Sequence, residues 1–194
     1  MTVRELKTRL RAEARARRGA RSSAEHRELT PGVTEAVSNL ITELGATSVA
    51  IFLSTPQEPQ TRDAIRVLSA QGVRLYAPIS LPEGRMVWTP VDANTPERSG
   101  LGGMPEPDVG AGAASQAITV DAVICPAAAV DDTGTRLGWG GGFYDRFLSE
   151  LPAGTPVFAL VFDDDVVGDL PGEAHDVPVW GVVTPHGWRR CERR

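Results

Sequence analysis

Cysteine and long apolar runs are scarce in this sequence, and each scarcity excludes a class of protein. The two cysteines, Cys125 and Cys191, provide neither a disulfide framework nor metal-ligand spacing, which is typical of a reducing cytosol. The longest apolar run, residues 122–130, is far shorter than the ~20 residues that a membrane span needs. The first residues, MTVRELKTRLRAEARARR, lack the apolar core of a signal peptide. We therefore predict a cytoplasmic protein that is neither secreted nor membrane-inserted.

The composition is that of a folded chain. Hydrophobic residues make up 41% and charged residues 23% of 194 residues, which is ordinary for a globular protein. Because this length is close to that of one average domain, we predict a single domain over residues 1–194.

Positive charge is concentrated at the N-terminus. Residues 1–28 contain nine basic and four acidic residues, although the whole chain has a net charge of −5. Such a segment can bind nucleic acid. The same segment also has helical apolar spacing, which favours an amphipathic helix packed on the body; the spacing is that of Val3, Leu6, Leu10 and Ala14. Nineteen of the twenty basic residues are arginine, and Lys7 is the single lysine.

Hydrophobic patterning predicts strands that alternate with helices. We expect helices over residues 3–18, from Ser22 with a restart at Thr30-Pro31, over 61–71 and over 143–151. We expect strands over 48–53, 73–77, 86–89, 120–125, 156–162 and, as the last, 179–184, with a long Gly- and Pro-rich segment over 90–118. This order predicts an α/β three-layer sandwich, with a mostly parallel sheet covered by helices on both faces.

A glycine-rich loop precedes the helix at 143–151. Gly138, Gly140, Gly141 and Gly142 occur in the segment GTRLGWGGGFYDR, residues 134–146. Backbone N–H groups in such a loop and the helix N-terminus can hold a phosphate, although a plain tight turn also explains the glycines. Arg136 and Arg146 add positive charge. Asp145 can hold a divalent metal or simply complement the helix dipole.

The loop sequence resembles the signature of the 5-formyltetrahydrofolate cyclo-ligase family. Four further segments resemble that family in the same order: KTRLR (7–11), FLSTPQEPQT (52–61), GMPEP (103–107) and LPGEAHDVPVWGVVT (170–184). Two positions depart from the family pattern. Gly102 stands where an aromatic residue is common, and Phe143 stands where tyrosine is common.

The resemblance implies an enzyme that converts 5-formyltetrahydrofolate to 5,10-methenyltetrahydrofolate, with ATP as co-substrate and Mg²⁺ as cofactor. It implies catalytic roles for Lys7, Arg136 and Asp145, and Mg²⁺ ligation by Asp145 and Asp176. The implied ATP-binding residues are Lys7, Arg11, Arg136, Leu137, Gly138, Trp139, Gly140, Gly141, Gly142, Phe143 and Tyr144. The implied folate-binding residues are Leu53, Glu58, Met104, Trp139, Gly140, Gly141, Gly142 and Phe143. A monomer is expected, acting on folate with or without a polyglutamate tail and binding neither nucleic acid nor membrane.

Several residues have a second interpretation. The run Asp163-Asp164-Asp165 is either a rival metal site or a solvated acidic turn, and His175 is either a general base or a structural histidine. Trp88 and Trp139 can stack on a ligand or serve as packing. Two other functions stay open. One is an α/β enzyme that acts on a phosphorylated sugar or a CoA ester, since fold does not fix function. The other is a nucleic-acid-binding module that uses the Arg-rich helix.

Overall fold

The computed structural model describes residues 1–110, 114–115, 117–173 and 176–192. Its four helices in this part of the chain are α1 (Val3–Ala20), α2 (Ser23–Leu44), α3 (Arg62–Ala70) and α4 (Phe143–Glu150). Its strands there are β1 (Ser48–Ile51), β2 (Arg74–Leu81), β3 (Arg85–Val91), β4 (Glu97–Ser99), β5 (Pro105–Pro107), β6 (Ala122–Pro126), β7 (Ala129–Asp131), β8 (Arg136–Leu137), β9 (Val157–Leu160), β10 (Val166–Val167), β11 (Gly181–Thr184) and β12 (Gly187–Arg190).

Seven strands form the central sheet, in the order β12-β11-β9-β6-β1-β2-β3. The five inner strands pair in parallel, and the two edge strands, β12 and β3, are antiparallel to their neighbours. A three-stranded sheet (β10-β7-β8) and a two-stranded hairpin (β4-β5) complete the structure. The predicted α/β fold with a mostly parallel sheet is therefore confirmed.

Side chains of the central strands alternate between two apolar cores. Val49 and Ile51 of β1 pack in a cluster with α2 and α3. Ala50, between them, packs in a second cluster with Leu148 of α4. This alternation buries both faces of a parallel sheet, as its apolar strands require.

Helix α1 packs against the small sheet rather than the large one. Its buried Ala14 lies in a third cluster with Ala128, Ala129 and Leu137 of the β7–β8 region. The amphipathic interpretation of this segment is confirmed, although its predicted stripe is partly wrong because Val3 is exposed. The buried residues of α1 are Lys7, Ala14 and Arg18, so two of the three are cations.

Two element predictions are wrong. The second helix does not restart at Pro31, because α2 runs unbroken from the capping box of Ser22 and Glu25 to Gly45. The hydroxyl of Thr30, which was expected to cap a new helix, instead donates to the His26 carbonyl. The strand at 179–184 is not the last, since β12 follows it and pairs with it as a hairpin.

No helix in the part of the chain described by the structure combines the length and apolarity that crossing a membrane requires.

Candidate active site

A cavity of about 310 Å³ opens at the carboxyl ends of β1 and β6. This edge of a parallel sheet is the usual place for a ligand site, because the loops that leave neighbouring strands converge there. Phe52 and Leu53 directly follow β1, and Pro126 ends β6. The cavity is lined by Arg15, Arg18, Phe52, Leu53, Thr55, Gln57, Glu58, Pro78, Ser80, Met86, Met104, Pro105, Pro126, Arg136, Gly138, Trp139, Gly141, Phe143 and Tyr144.

The glycine-rich loop forms one wall of this cavity and leads directly into α4. Gly140 and Gly142 have φ values of 101° and 69°, a region that favours glycine because it lacks a Cβ. Gly142 is also the N-cap of α4. A Cβ at Gly141 would lie 2.7 Å from the ring of Phe143. The loop therefore needs glycine for its backbone path and for close packing on its own helix.

Arg136 and Asp145 form an ion pair behind this wall. Arg136, in β8, is buried and donates from Nη2 to Oδ1 of Asp145 in the first turn of α4. Its guanidinium lies 6.0 Å from the ring centroid of Tyr144. Burial raises the pKa of Tyr144 well above its usual range, so this phenol stays protonated at neutral pH. A cation on β8 therefore lies beside a carboxylate and a neutral phenol in the first turn of α4.

Glu58 lines the same cavity as the glycine-rich loop. The Glu58 side chain belongs to the loop after β1, which folds back on itself and leaves this residue only 7% exposed. Its Oε2 accepts hydrogen bonds from the backbone N–H of Thr55 at 2.8 Å and from the Thr55 hydroxyl at 3.0 Å. These bonds fix a buried carboxylate whose Oε1 takes part in neither of them.

The N-terminal helix contacts the glycine-rich loop through Arg11. Its Nε donates to the carbonyl of Gly138 at 2.7 Å. One turn earlier, Lys7 is 8% exposed, and its ammonium donates to Glu173 at 2.7 Å and to Asp176 at 2.8 Å. Burial alone would lower the pKa of Lys7, but the two carboxylates outweigh that effect and raise it. Lys7 therefore stays charged at neutral pH and ties α1 to Glu173 and Asp176.

Comparison with known proteins decides the family. A sequence profile described as the 5-formyltetrahydrofolate cyclo-ligase family matches residues 3–185. The chain belongs to the 5-formyltetrahydrofolate cyclo-ligase family.

Relatives of this family align over most of the chain. The Escherichia coli K12 protein named 5-formyltetrahydrofolate cyclo-ligase is 33% identical over 143 residues, which are 72% of this chain and 79% of that protein. The Haemophilus influenzae protein of the same name is 29% identical over 182 residues, 90% of this chain and 95% of its own length. The structure of Aquifex aeolicus 5,10-methenyltetrahydrofolate synthetase superposes with a TM-score of 0.77 at 26% identity, covering 95% of this chain and 92% of the other. The resemblance to a ligase family is therefore confirmed.

In this cyclo-ligase family member, most of the residues predicted to bind ATP or folate line the cavity described above. Leu53, Glu58 and Met104 line it together with Arg136, Gly138, Trp139, Gly141, Phe143 and Tyr144. The other predicted residues lie outside the lining. Leu137 is buried in the apolar cluster beneath α1. Arg11 lies against Gly140, at 3.5 Å from where a Cβ there would stand. Gly142, as the N-cap of α4, completes the loop.

The two carboxylates predicted to bind a metal are each held by a cation. Asp145 is paired with Arg136, and Asp176 with Lys7. Among the described residues, no group of three or more His, Cys, Asp or Glu side chains is arranged to hold a metal ion. His175, considered as a general base, lies outside the residues that the structure describes.

The acidic run at 163–165 has one buried carboxylate and two that are about half exposed. Asp165 is fully buried and accepts hydrogen bonds from Arg17 and Arg18 of α1, both at 2.8 Å. Asp164 pairs with Arg21, and Asp163 pairs with His186. The metal-site interpretation is wrong, because within the described part of the chain the run contributes to no group of three metal-binding side chains. The solvated-turn interpretation is wrong for Asp165, whose partners lie on the basic helix. The opposite charges of the two segments were the signal that could have indicated this.

Sequence reasoning missed two arginines that line the cavity. The guanidinium carbons of Arg15 and Arg18 lie 5.2 Å and 5.0 Å from the centroid of the Trp139 ring. This is the distance range of a cation–π contact. The spacing of three residues on α1 puts both arginines on one helix face. Trp139 therefore packs on α1 while it also lines the cavity.

Proposed function

We propose that this chain catalyses the ATP-dependent conversion of 5-formyltetrahydrofolate to 5,10-methenyltetrahydrofolate, with release of ADP and phosphate. One observation carries the proposal: a single cavity is lined by the buried carboxylate of Glu58, by apolar side chains and by the glycine-rich loop with Arg136. A folate ring needs the first two features, and the phosphates of ATP need the third. Family membership over residues 3–185 supports the same reaction.

The reaction requires activation of a poor leaving group. N10 attacks the formyl carbon on N5, and the oxygen of that formyl group must then depart. Transfer of the γ-phosphoryl group of ATP to the formyl oxygen lets it leave as phosphate. Phosphoryl transfer depends mainly on positioning and on neutralising charge. The protein therefore has to align the two substrates and to surround the phosphates with hydrogen-bond donors.

The phosphate side is the glycine-rich loop and the cations around it. Backbone N–H groups of residues 138–142 and the N-terminus of α4 would receive the phosphates. Arg136 is buried beside this loop, and Arg11 holds it through the Gly138 carbonyl. Lys7 lies one turn from Arg11 on the same face of α1, so both can reach one triphosphate.

We propose that Mg²⁺ enters this site as part of MgATP. This ion is usually bound by one or two carboxylates together with substrate phosphates rather than by an all-protein cage. Asp145 and Asp176 are such carboxylates, and each is balanced by a cation that phosphate oxygens can also attract. They would hold the ion, which supplies further neutralisation of phosphate charge.

The folate side is the loop after β1 and the hairpin β4–β5. The pterin edge presents adjacent N–H donors, and Oε1 of Glu58 can accept them while Thr55 holds Oε2. A charged acceptor strengthens such bonds. Leu53 and Met104 supply apolar contact to the flat ring.

Purified protein mixed with 5-formyltetrahydrofolate, Mg²⁺ and ATP tests the proposal. We expect the near-ultraviolet absorbance of the methenyl product to rise together with ADP. Omission of either the nucleotide or the divalent ion should abolish the rise. Product formed at full rate without nucleotide would exclude an ATP-dependent ligase.

Replacement of Glu58 by Gln should act on folate binding. The amide cannot accept from two ring donors as the carboxylate does, so we expect KM for 5-formyltetrahydrofolate to rise by about tenfold or more. The kcat should change little, because this residue anchors a ring remote from the reacting carbon. Steady-state kinetics with each substrate varied in turn measures the split. Glu43→Gln is the control, because Glu43 is exposed on α2. An unchanged KM would remove Glu58 from the folate site.

Replacement of Lys7 by Arg should impair turnover although the charge is kept. The ammonium sits buried between two carboxylates, and a planar guanidinium needs more room than this compact group. We expect kcat/KM for ATP to fall by about tenfold, which corresponds to ~1.4 kcal/mol. Arg9→Lys is the matched control, because Arg9 is exposed on the same helix. Wild-type kinetics for both variants would show that turnover does not depend on the ammonium group of Lys7.

The structure favours this proposal over a nucleic-acid-binding module. Arginines of α1 that would have to contact phosphates of a nucleic acid are engaged within the chain. Arg17 and Arg18 are bonded to Asp165, Arg21 to Asp164, and Arg11 to Gly138. An enzyme that acts on a phosphorylated sugar or a CoA ester is a second candidate, and it would consume no ATP.

The whole chain is proposed to act as one monomeric domain in the cytoplasm, without nucleic-acid or membrane partners. The family match over residues 3–185 leaves little of the chain outside it.

Cys125 and Cys191 are buried free thiols. Burial raises the pKa of Cys125 to about 11, so this thiol is proposed to be an unreactive part of the core.

A further inference from the structure

A buried carboxylate in the GMPEP segment takes no part in the steps above. Glu106, in β5, is 5% exposed. Its Oε1 accepts from Nε of Arg98 in β4 at 3.0 Å, and its Oε2 accepts from the backbone N–H of Ser80 in β2 at 3.3 Å. Burial of a carboxylate is costly unless such partners are present. The two partners lie on different elements, so Glu106 joins the hairpin β4–β5 to the central sheet.

The Glu106 carboxylate also supports the turn of that hairpin. A Cβ at Gly100 would lie 2.1 Å from Oε2 of Glu106, so the carboxylate lies directly against the Gly100 backbone. The turn is closed by bonds from the Gly100 N–H to the Met104 carbonyl at 2.8 Å and from the Gly103 N–H to the Gly100 carbonyl at 3.0 Å. Glu106 therefore fills the space beneath the turn that presents Met104.

Both elements that Glu106 joins contribute walls of the cavity. Met104 and Pro105 line it from the hairpin, and Ser80 lines it from β2. Met104 is one of the exposed large hydrophobic residues, so the packing of its own side chain does little to fix it. The hydrogen bonds of Glu106 link the hairpin part of this wall to β2.

We propose that Glu106 is a positioning residue, which holds Met104 and Pro105 at the distance from Ser80 that the folate ring requires. This role rests on the proposed function, because it assigns the hairpin to the folate side of the cavity. It predicts that a change at Glu106 alters folate affinity and leaves the phosphate side unaffected.

Glu106→Gln is the first variant to measure. An amide has one acceptor oxygen, so it cannot accept from Arg98 and Ser80 through separate oxygens, and one donor loses its partner. We expect KM for 5-formyltetrahydrofolate to rise by about five- to tenfold, as the loss of one buried hydrogen bond would produce. The KM for ATP and kcat should stay within about twofold of wild type. Asp108→Asn is the control, because Asp108 is an exposed carboxylate 3.8 Å from the same arginine.

A double-mutant cycle with Met104→Ala distinguishes positioning from general stability. If Glu106 acts through Met104, the double variant should have nearly the same folate KM as Met104→Ala alone, because the positioned group is gone. If Glu106 merely stabilises the fold, the two effects should multiply, since independent sites are additive in free energy. Multiplication of the effects, or a parallel rise in both KM values with a lower melting temperature, would overturn the proposal.

Equilibrium dialysis of 5-formyltetrahydrofolate keeps the two proposals separate. Wild-type protein that binds this folate but gives no methenyl product would contradict the proposed reaction, while the Kd of Glu106→Gln would still test the positioning role. Wild-type protein that turns over normally, with an unchanged folate KM in Glu106→Gln, would contradict the positioning role alone. Wild-type protein that neither binds folate nor turns it over would overturn both.

Discussion

Asp165→Ala should lower the free energy of unfolding by about 3–5 kcal/mol, the range found when one partner of a buried ion pair is removed. Asp165 and Arg18 are both almost completely inaccessible, and they share a hydrogen bond of 2.8 Å. Without the carboxylate, Arg18 keeps its bond to the Ala127 carbonyl but loses its counter-ion. Urea unfolding followed by circular dichroism measures the change.

The neighbouring Asp164→Ala is the matched control. Asp164 pairs with Arg21, the C-cap of the same helix, but its side chain is 48% exposed. Exposed pairs contribute about 0–1 kcal/mol, so this variant should be close to wild type. If Asp165→Ala also lowered the free energy of unfolding by less than about 1 kcal/mol, the Asp165–Arg18 pair would not stabilise the packing of α1. Because α1 also carries Lys7 and Arg11, Asp165→Ala should raise KM for ATP in the protein that remains folded.

Asp145→Asn should reduce kcat by about 10²–10³-fold, the size of effect seen when one preorganised electrostatic group is removed from an active site. The carboxylate is proposed to help hold Mg²⁺ and to orient Arg136, with which it is paired. The amide keeps the shape of the side chain and loses its charge. Because the charge matters most as phosphate charge develops, kcat should change more than either KM.

A role of Asp145 in the helix dipole alone predicts a different result. Loss of a first-turn carboxylate would then lower stability by about 0.3–1 kcal/mol and leave kcat unchanged. Glu150→Gln is the control, because Glu150 is an exposed carboxylate at the other end of α4. Wild-type kcat in folded Asp145→Asn would remove this residue from the catalytic set.

Short-range features of the chain could be predicted from the sequence. The apolar run at 48–53 predicted β1 because a strand buried on both faces needs continuous apolar residues. The glycines before Phe143 predicted the loop that precedes α4. The family resemblance implied that Glu58, Met104 and the loop bind one set of ligands, and these residues line one cavity.

Pairings between distant segments could not be predicted in this way. Asp165 lies 147 residues from Arg18, and no local pattern links them. The same holds for Lys7 and Asp176, 169 residues apart. The predicted helix restart at Pro31 was wrong for a related reason. Local propensity favours a helix start there, but the packing of a long apolar stripe keeps α2 continuous. Tertiary contacts therefore determine these ion pairs and the continuity of α2, which the local sequence does not specify.

Transfer of the formyl oxygen to phosphate tests the central claim most directly. 5-Formyltetrahydrofolate labelled with ¹⁸O in its formyl group is incubated with the protein, Mg²⁺ and unlabelled ATP, and the phosphate released is analysed by mass spectrometry. The account predicts one ¹⁸O atom in each phosphate and one ADP for each methenyl product. Unlabelled phosphate, with the ¹⁸O recovered in water, would contradict phosphorylation of the formyl oxygen in this cavity.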